Sequence, residues 1–374
     1  HQMFRYTTSL FTAAIILGTS IFMSGVFGQE KQKRSDDTVE FSRCWAVAEA
    51  DTPFSVISTD GTTAFVGATG AKVAAISIAT GTRSWSTELG GEIASNLSAD
   101  SAGLFIVTDS VSTDAAKPKE STLRILSKET GITAKKIALA PSDSFKIGVD
   151  GGNVIVIAQS GDVYAFDAAT AEVKWTRKPT GGVTGDSYIG GGSIVIGTTD
   201  GQILRLSSAT GEINLTVKSA DKPTAVRSLA NGKIVYGDAR GNVVSVDAGW
   251  KFKAGAQVSG IYEVTGALLV TSFDNFVYYF NPSNGGVIWK KRMSGRIADI
   301  SFAATNQLLI FTYGGETGVL AELKKGKTMG QIPLMQETDN VSIPDTLNGR
   351  AVFAHNGTAY AFATTPCQIQ NGTR

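Results

Sequence analysis

Two histidines and two cysteines are the residues of this 374-residue chain best fitted to proton transfer, metal ligation or redox chemistry. His1 stands at the extreme N-terminus, which leaves His355 as the one internal imidazole. A single histidine gives no serine or cysteine nucleophile a convincing base, and no Gly-x-Ser-x-Gly turn accompanies it. His355 sits beside an Asn356-Gly357 turn and is expected to be exposed and idle. Carboxylates are scattered, without the spacing of a calcium loop. Gly181-Gly182 and Gly190-Gly191-Gly192 lack the following helix that a phosphate cradle needs, so they read as turns between strands. The sequence therefore assigns no catalytic residue, no cofactor ligand and no metal ligand, and the chain is expected not to be an enzyme.

The composition points to what must position those residues. There are 42 Gly, 9 Pro and only 18% charged residues, with Val, Ile, Thr and Ser spread evenly. That is the make-up of many short strands joined by tight turns. The formal net charge is +1 with both signs interleaved, so no basic stripe exists to neutralise phosphates and nucleic acid is excluded as a partner.

One segment recurs along the chain. Asp162-Val163-Tyr164-Ala165-Phe166-Asp167-Ala168-Ala169-Thr170-Ala171 followed by Trp175 aligns with Lys72-Val73-Ala74-Ala75-Ile76-Ser77-Ile78-Ala79-Thr80-Gly81 followed by Trp85. The same frame fits Gln202 to Leu215 and Phe276 to Trp289, with weaker copies near Ser121, Asn242, Gly318 and Thr358. The spacing is mostly near 40 residues, the period of a propeller blade. Turn pairs such as Ser160-Gly161, Asp200-Gly201 and Arg240-Gly241 precede each copy, and a β-rich run precedes each turn (Val154 to Ala158, Ile194 to Gly197, Leu268 to Thr271). The expected fold is all-β: an eight-bladed β-propeller with four antiparallel strands per blade. Trp45, Trp85, Trp175 and Trp289, with Trp250, fall in or beside the outermost strands and are expected to fill the gaps between blades.

Counting blades from Pro53 leaves the last with three strands, ending at Thr358-Ala359-Tyr360-Ala361-Phe362. Residues 43–50 are expected to supply the fourth, with Trp45 matching Trp85 and Trp175, so that the N-terminal strand closes the last blade and removes an exposed edge. Cys44 lies in that strand and Cys367 just after its partner, which predicts a disulfide between them.

Ahead of the propeller, Arg5 precedes an uncharged run from Leu10 to Phe27, and Gly28 offers a small residue at a cleavage point. Residues 1–28 thus read as a signal peptide, with an uncleaved membrane anchor as the alternative, residues 29–41 as a charged linker, 42–367 as the propeller and 368–374 as a tail. The first cysteine is Cys44, so no lipid attachment is expected at the end of the apolar run. The protein is expected outside the cytoplasm, in the periplasm or beyond, as a monomer.

The turns Ala79-Thr80-Gly81 with Trp85, Ala169-Thr170 with Trp175, and Ala209-Thr210-Gly211 resemble the pyrroloquinoline-quinone-type propeller repeat, over residues 42–367. The resemblance implies one of two functions. Quinone-dependent alcohol dehydrogenases of this fold carry adjacent cysteines and a calcium site, neither of which maps onto this chain. The chain is closer in size to the propeller subunit of the outer-membrane β-barrel assembly machinery. That likeness implies a scaffold that binds protein partners through its loops, with no cofactor. The alternative is a quinone- or sugar-binding enzyme or sensor at the mouth of the central channel.

Overall fold

The computed structural model describes residues 39–49, 52–111, 119–264, 266–304, 306–344, 350–364 and 367. The expected signal peptide, the linker up to residue 38 and the tail 368–374 lie outside the described residues. Among the described residues there is no α-helix; a single short 3-10 turn spans Thr69–Ala71.

The repeating unit is a four-stranded antiparallel ladder in which consecutive strands are neighbours. Phe54–Thr59, Thr63–Ala68, Lys72–Ser77 and Arg83–Glu88 form one such ladder. The same order recurs over 145–177, 183–218, 223–253, 258–292 and 297–333, and over 98–139, where Glu92–Ile93 also joins the sheet. Strand burial follows position in the ladder. Second strands such as Leu104–Asp109 and Ala267–Ser272 are buried at every residue. Neighbouring ladders cover both of their faces, so they read as unbroken apolar runs. Outermost strands such as Arg83–Glu88 and Val287–Arg292 alternate between exposed and half-buried, because only one face meets a neighbour.

The core is consequently a series of seams between stacked sheets rather than one central cluster. Trp175, Ile155 and Val163 of one ladder pack on Ile194, Ile196 and Leu206 of the next. Leu309 and Phe311 likewise pack on Phe353 and Phe362. Each fully buried large side chain in such a seam contributes on the order of 1.5–3 kcal/mol.

The last ladder is made from both ends of the described chain. Val341–Ser342, Ala351–His355 and Thr358–Ala363 are followed in the sheet by Ser42–Ala48, antiparallel to Thr358–Ala363 with Trp45 opposite Ala361. The disulfide Cys44–Cys367 joins the same two ends, with their Cα atoms 5.2 Å apart. The linker assignment to residue 41 needs amending, because Val39–Glu40 pairs in parallel with Gly330–Gln331 on the outer edge of the 297–333 ladder. A Cβ on Gly330 would lie 2.2 Å from the Val39 carbonyl oxygen, so the missing side chain is what admits this strand. The N-terminal segment thus crosses from the edge of one ladder to the edge of the next.

Candidate binding surface

The five tryptophans share one geometry. The indole N–H donates to a carbonyl in the neighbouring ladder: Trp45 to Ile78 at 3.0 Å, Trp85 to Lys128 at 2.7 Å, Trp175 to Ser208 at 3.1 Å, Trp250 to Pro282 at 2.8 Å and Trp289 to Leu323 at 2.7 Å. The ring then lies over a turn glycine of that ladder. A Cβ on Gly131 would sit 2.4 Å from the Trp85 ring, and one on Gly326 would sit 2.8 Å from the Trp289 ring. Sequence periodicity locates the tryptophans but not their landing sites, which lie 32 to 43 residues away.

Two seams without a tryptophan differ accordingly. Lys135 stands at the position of Trp85 in its own strand, and the turn it faces carries Ala171, at φ 63°, instead of glycine. Leu215 stands there in the 183–218 ladder, and Gly249 in the next turn has nothing within 4 Å of its would-be Cβ. Every ring rests on a glycine, as close approach requires, whereas the ringless seams carry Ala171 in one case and an uncovered Gly249 in the other.

The turns between second and third strands lie at the end of the ladders where the chain enters each first strand. One backbone hydrogen bond ties each turn to that entering segment: Thr69 N–H to Pro53 O (3.4 Å), Gln159 to Ser144 (3.0 Å), Thr199 to Gly182 (3.0 Å), Ala239 to Lys222 (2.9 Å), Phe273 to Gln257 (2.9 Å), Tyr313 to Arg296 (2.9 Å) and Asn356 to Asn340 (2.9 Å). Five of these turns expose their first side chain, those of Thr69, Gln159, Thr199, Phe273 and Tyr313, as a binding surface requires.

Two hollows open beside them. A polar cleft of about 380 Å³ between the 145–177 and 183–218 ladders is lined by Ser142, Gln159, Ser160, Gly182 and Thr199. A bulge between Thr184 and Tyr188 follows Val183 of its lining; there Asp186 leaves its own ladder to bridge Ala225 and pairs with Lys146. An apolar groove of about 270 Å³, lined by Phe41, Arg43, Leu334, Met335, Tyr360 and Phe362, follows the line where the N-terminal segment crosses ladders.

His355 departs from its expected exposure: it is 2% exposed. Its Nε2 lies 3.2 Å from Thr338 Oγ1, whose hydroxyl donates to Gly315 O at 2.9 Å, so the imidazole is the donor to Thr338. Burial pushes its pKa below the usual histidine range, against an opposing pull from Asp339. The side chain is a structural clasp between the 335–340 segment and strand Ala351–His355. Its sequence neighbourhood, a turn, suggested the surface; the stacked neighbour that covers it is far away in the chain. Among the described residues, no group of three or more His, Cys, Asp or Glu is placed to hold a metal ion.

A family model described as "Outer membrane protein assembly factor BamB" matches residues 119–249 and 216–367. Among solved structures, the chain resembles the computationally designed protein Ika8 (TM-score 0.70, 14% identity, covering 86% of this chain and 99% of that one). It also resembles BamB from Moraxella catarrhalis (0.62, 15%, 90% and 99%) and the C-terminal WD40 domain of Sif2 (0.68, 12%, 88% and 99%). No curated protein matches it in sequence. At these identities the structural likenesses show the fold alone, a β-propeller, the architecture that WD40 repeats build.

Proposed function

We infer the function from the premise that this chain belongs to the family of outer membrane protein assembly factor BamB. In our reading it is an exported scaffold that holds protein partners through its turns and performs no chemistry of its own. Its ladders are eight blades, and the strand Ser42–Ala48 seals the ring on the last one. It works in the cell envelope, in the assembly of outer-membrane proteins. The observation that carries this reading is the family match over residues 119–367, to a model whose own description is an assembly factor. Two features support it. The Cys44–Cys367 bridge suits an oxidising compartment outside the cytoplasm. The stitched turns offer a preorganised face, which lowers the ordering cost of binding a partner.

The test is crosslinking in intact envelopes of cells producing the tagged full-length chain, followed by purification and mass spectrometry. Recovery of an outer-membrane β-barrel assembly component, absent from a tag-only control, is expected. If no envelope protein is enriched over that control, the scaffold reading falls. The hydroxyl-rich cleft at Gln159 and Thr199 favours one second reading, a small quinone or sugar held beside the channel. Absorbance and dye reduction of the purified protein, with added quinone and calcium, would bring that reading forward.

A further inference from the structure

The seven turns tied by the same backbone bond are structurally equivalent positions of one repeat, so their side chains can be compared directly. In five of them the first turn residue is Thr69, Gln159, Thr199, Ala239 or Asn356, small or polar in each case. In the two adjacent ladders 258–292 and 297–333 it is Phe273 and Tyr313. Both are solvent-facing, Phe273 at 36% and Tyr313 at 51% of full exposure, although a repeat that tolerates threonine there has no packing need for a ring.

Between them stands Arg296, itself exposed, with its guanidinium carbon 5.1 Å from the centre of the Phe273 ring. Resting on an aromatic face orients the planar fork without using its N–H donors. No hydrogen bond or ion pair engages those donors among the described residues. The neighbouring carboxylate of Asp274 is occupied within its own loop, accepting from Gly255 N at 2.7 Å, Phe276 N at 3.0 Å and Tyr278 Oη at 2.6 Å. An arginine preoriented on one exposed ring, with a second exposed tyrosine on the turn whose backbone N–H bonds the arginine's carbonyl, brings together residue types that dominate binding energy at protein interfaces.

We propose that Phe273, Arg296 and Tyr313 form the hot spot of this scaffold's partner-binding face, and that its occupant is a protein segment presenting a carboxylate next to an apolar side chain. The carboxylate takes the open fork of Arg296, and the apolar side chain lies against the flanking rings. This inference rests on the protein-binding reading above and specifies where, and with what chemistry, that binding occurs.

The variants borrow residues that the same repeat already accommodates: Phe273→Thr, Tyr313→Thr and Arg296→Gln. Their thermal unfolding should match that of the wild type. The probe is a random dodecapeptide phage library selected on the purified full-length wild-type protein, with binding of individual peptides then measured by fluorescence anisotropy. Selected peptides are expected to carry Asp or Glu beside an aromatic or aliphatic residue. Their affinity should fall by roughly tenfold or more in R296Q and in the Phe273→Thr/Tyr313→Thr pair. Replacing the peptide's Asp or Glu by its amide should weaken binding to the wild type but not to R296Q. Peptides that bind wild type and variants equally would overturn this site while leaving the scaffold reading in place. Selection of peptides without a carboxylate would overturn the proposed partner chemistry. Failure to enrich any peptide over the empty support would count against both readings.

Discussion

A tryptophan ring resting on a glycine sets how closely two neighbouring sheets approach, and the cost of disturbing it depends on whether a ring is there. Gly131 and Gly249 hold similar left-handed backbones, at φ 72° and 68°, but only Gly131 has an indole over it. Gly249→Ala should therefore lose only the backbone preference, on the order of 1–2 kcal/mol. Gly131→Ala adds an overpacking cost of about 1–3 kcal/mol against Trp85 and should lower the denaturation midpoint further. Equal losses in chemical denaturation would show that the ring contact does not restrict the seam. His355 makes a second prediction at this scale. Its folded pKa is depressed, so the unfolded chain binds the proton more readily. The stability held by the neutral imidazole is complete above the unfolded value of about 6.5 and is lost as pH falls below it toward the folded value. Thermal unfolding at pH 7.5 and pH 5.5 should show a larger acid-side fall in the wild type than in His355→Gln. An identical fall in both would remove His355 as its source.

At the scale of elements, the N-terminal strands are held by two unlike means, a ladder and a covalent bond. Cys44–Cys367 closes a loop of 323 residues, for which the chain-entropy argument gives about 6 kcal/mol as an upper figure. The double variant Cys44→Ser/Cys367→Ser should unfold at a lower temperature than the oxidised wild type, and reducing agent should shift only the wild type. Coincident melting of oxidised and reduced protein would mean that the ladder alone carries the closure. The second tie is the pairing of Ser42–Ala48 with Thr358–Ala363, extended by Val39–Glu40 on Gly330–Gln331. Together these strands cover the outer edges of two successive ladders. Removing the chain through Glu49 should leave both edges unpaired and cause concentration-dependent association, visible by light scattering. A monodisperse truncated protein would show that those edges are protected in another way.

Considered as a whole molecule, the protein is a stack of similar sheets whose interior is used up in holding neighbours at fixed distance. Its variation is concentrated in turns. The seven stitched turns have one backbone bond in common yet carry side chains as different as Ala239 and Tyr313. A rigid framework with exchangeable turns suits recognition, because the partner meets groups that are already in place. The bulge at 184–188 shows the same economy: residues 185–187 drop out of their own ladder's pairing, and Asp186 among them bridges Ala225 of the next.

How much of this was legible in the chain depends on the range of each interaction. The strand runs, the turn pairs, the tryptophan positions and the Cys44–Cys367 pairing could all be read from the repeat, because a strand and its turn are encoded by residues a few positions apart. Contacts made by stacking one sheet on another could not. They include the glycine beneath each indole, the burial of His355, the parallel strand Val39–Glu40 admitted by Gly330, and the meeting of Phe273 with Arg296. Each joins residues whose sequence neighbours say nothing of one another, and only the stacking of finished ladders brings them together. The sequence by itself determined the repeating unit and its pairing of ends. The tertiary structure decided which side chains face each other across the seams, and with that which remain free to meet a partner.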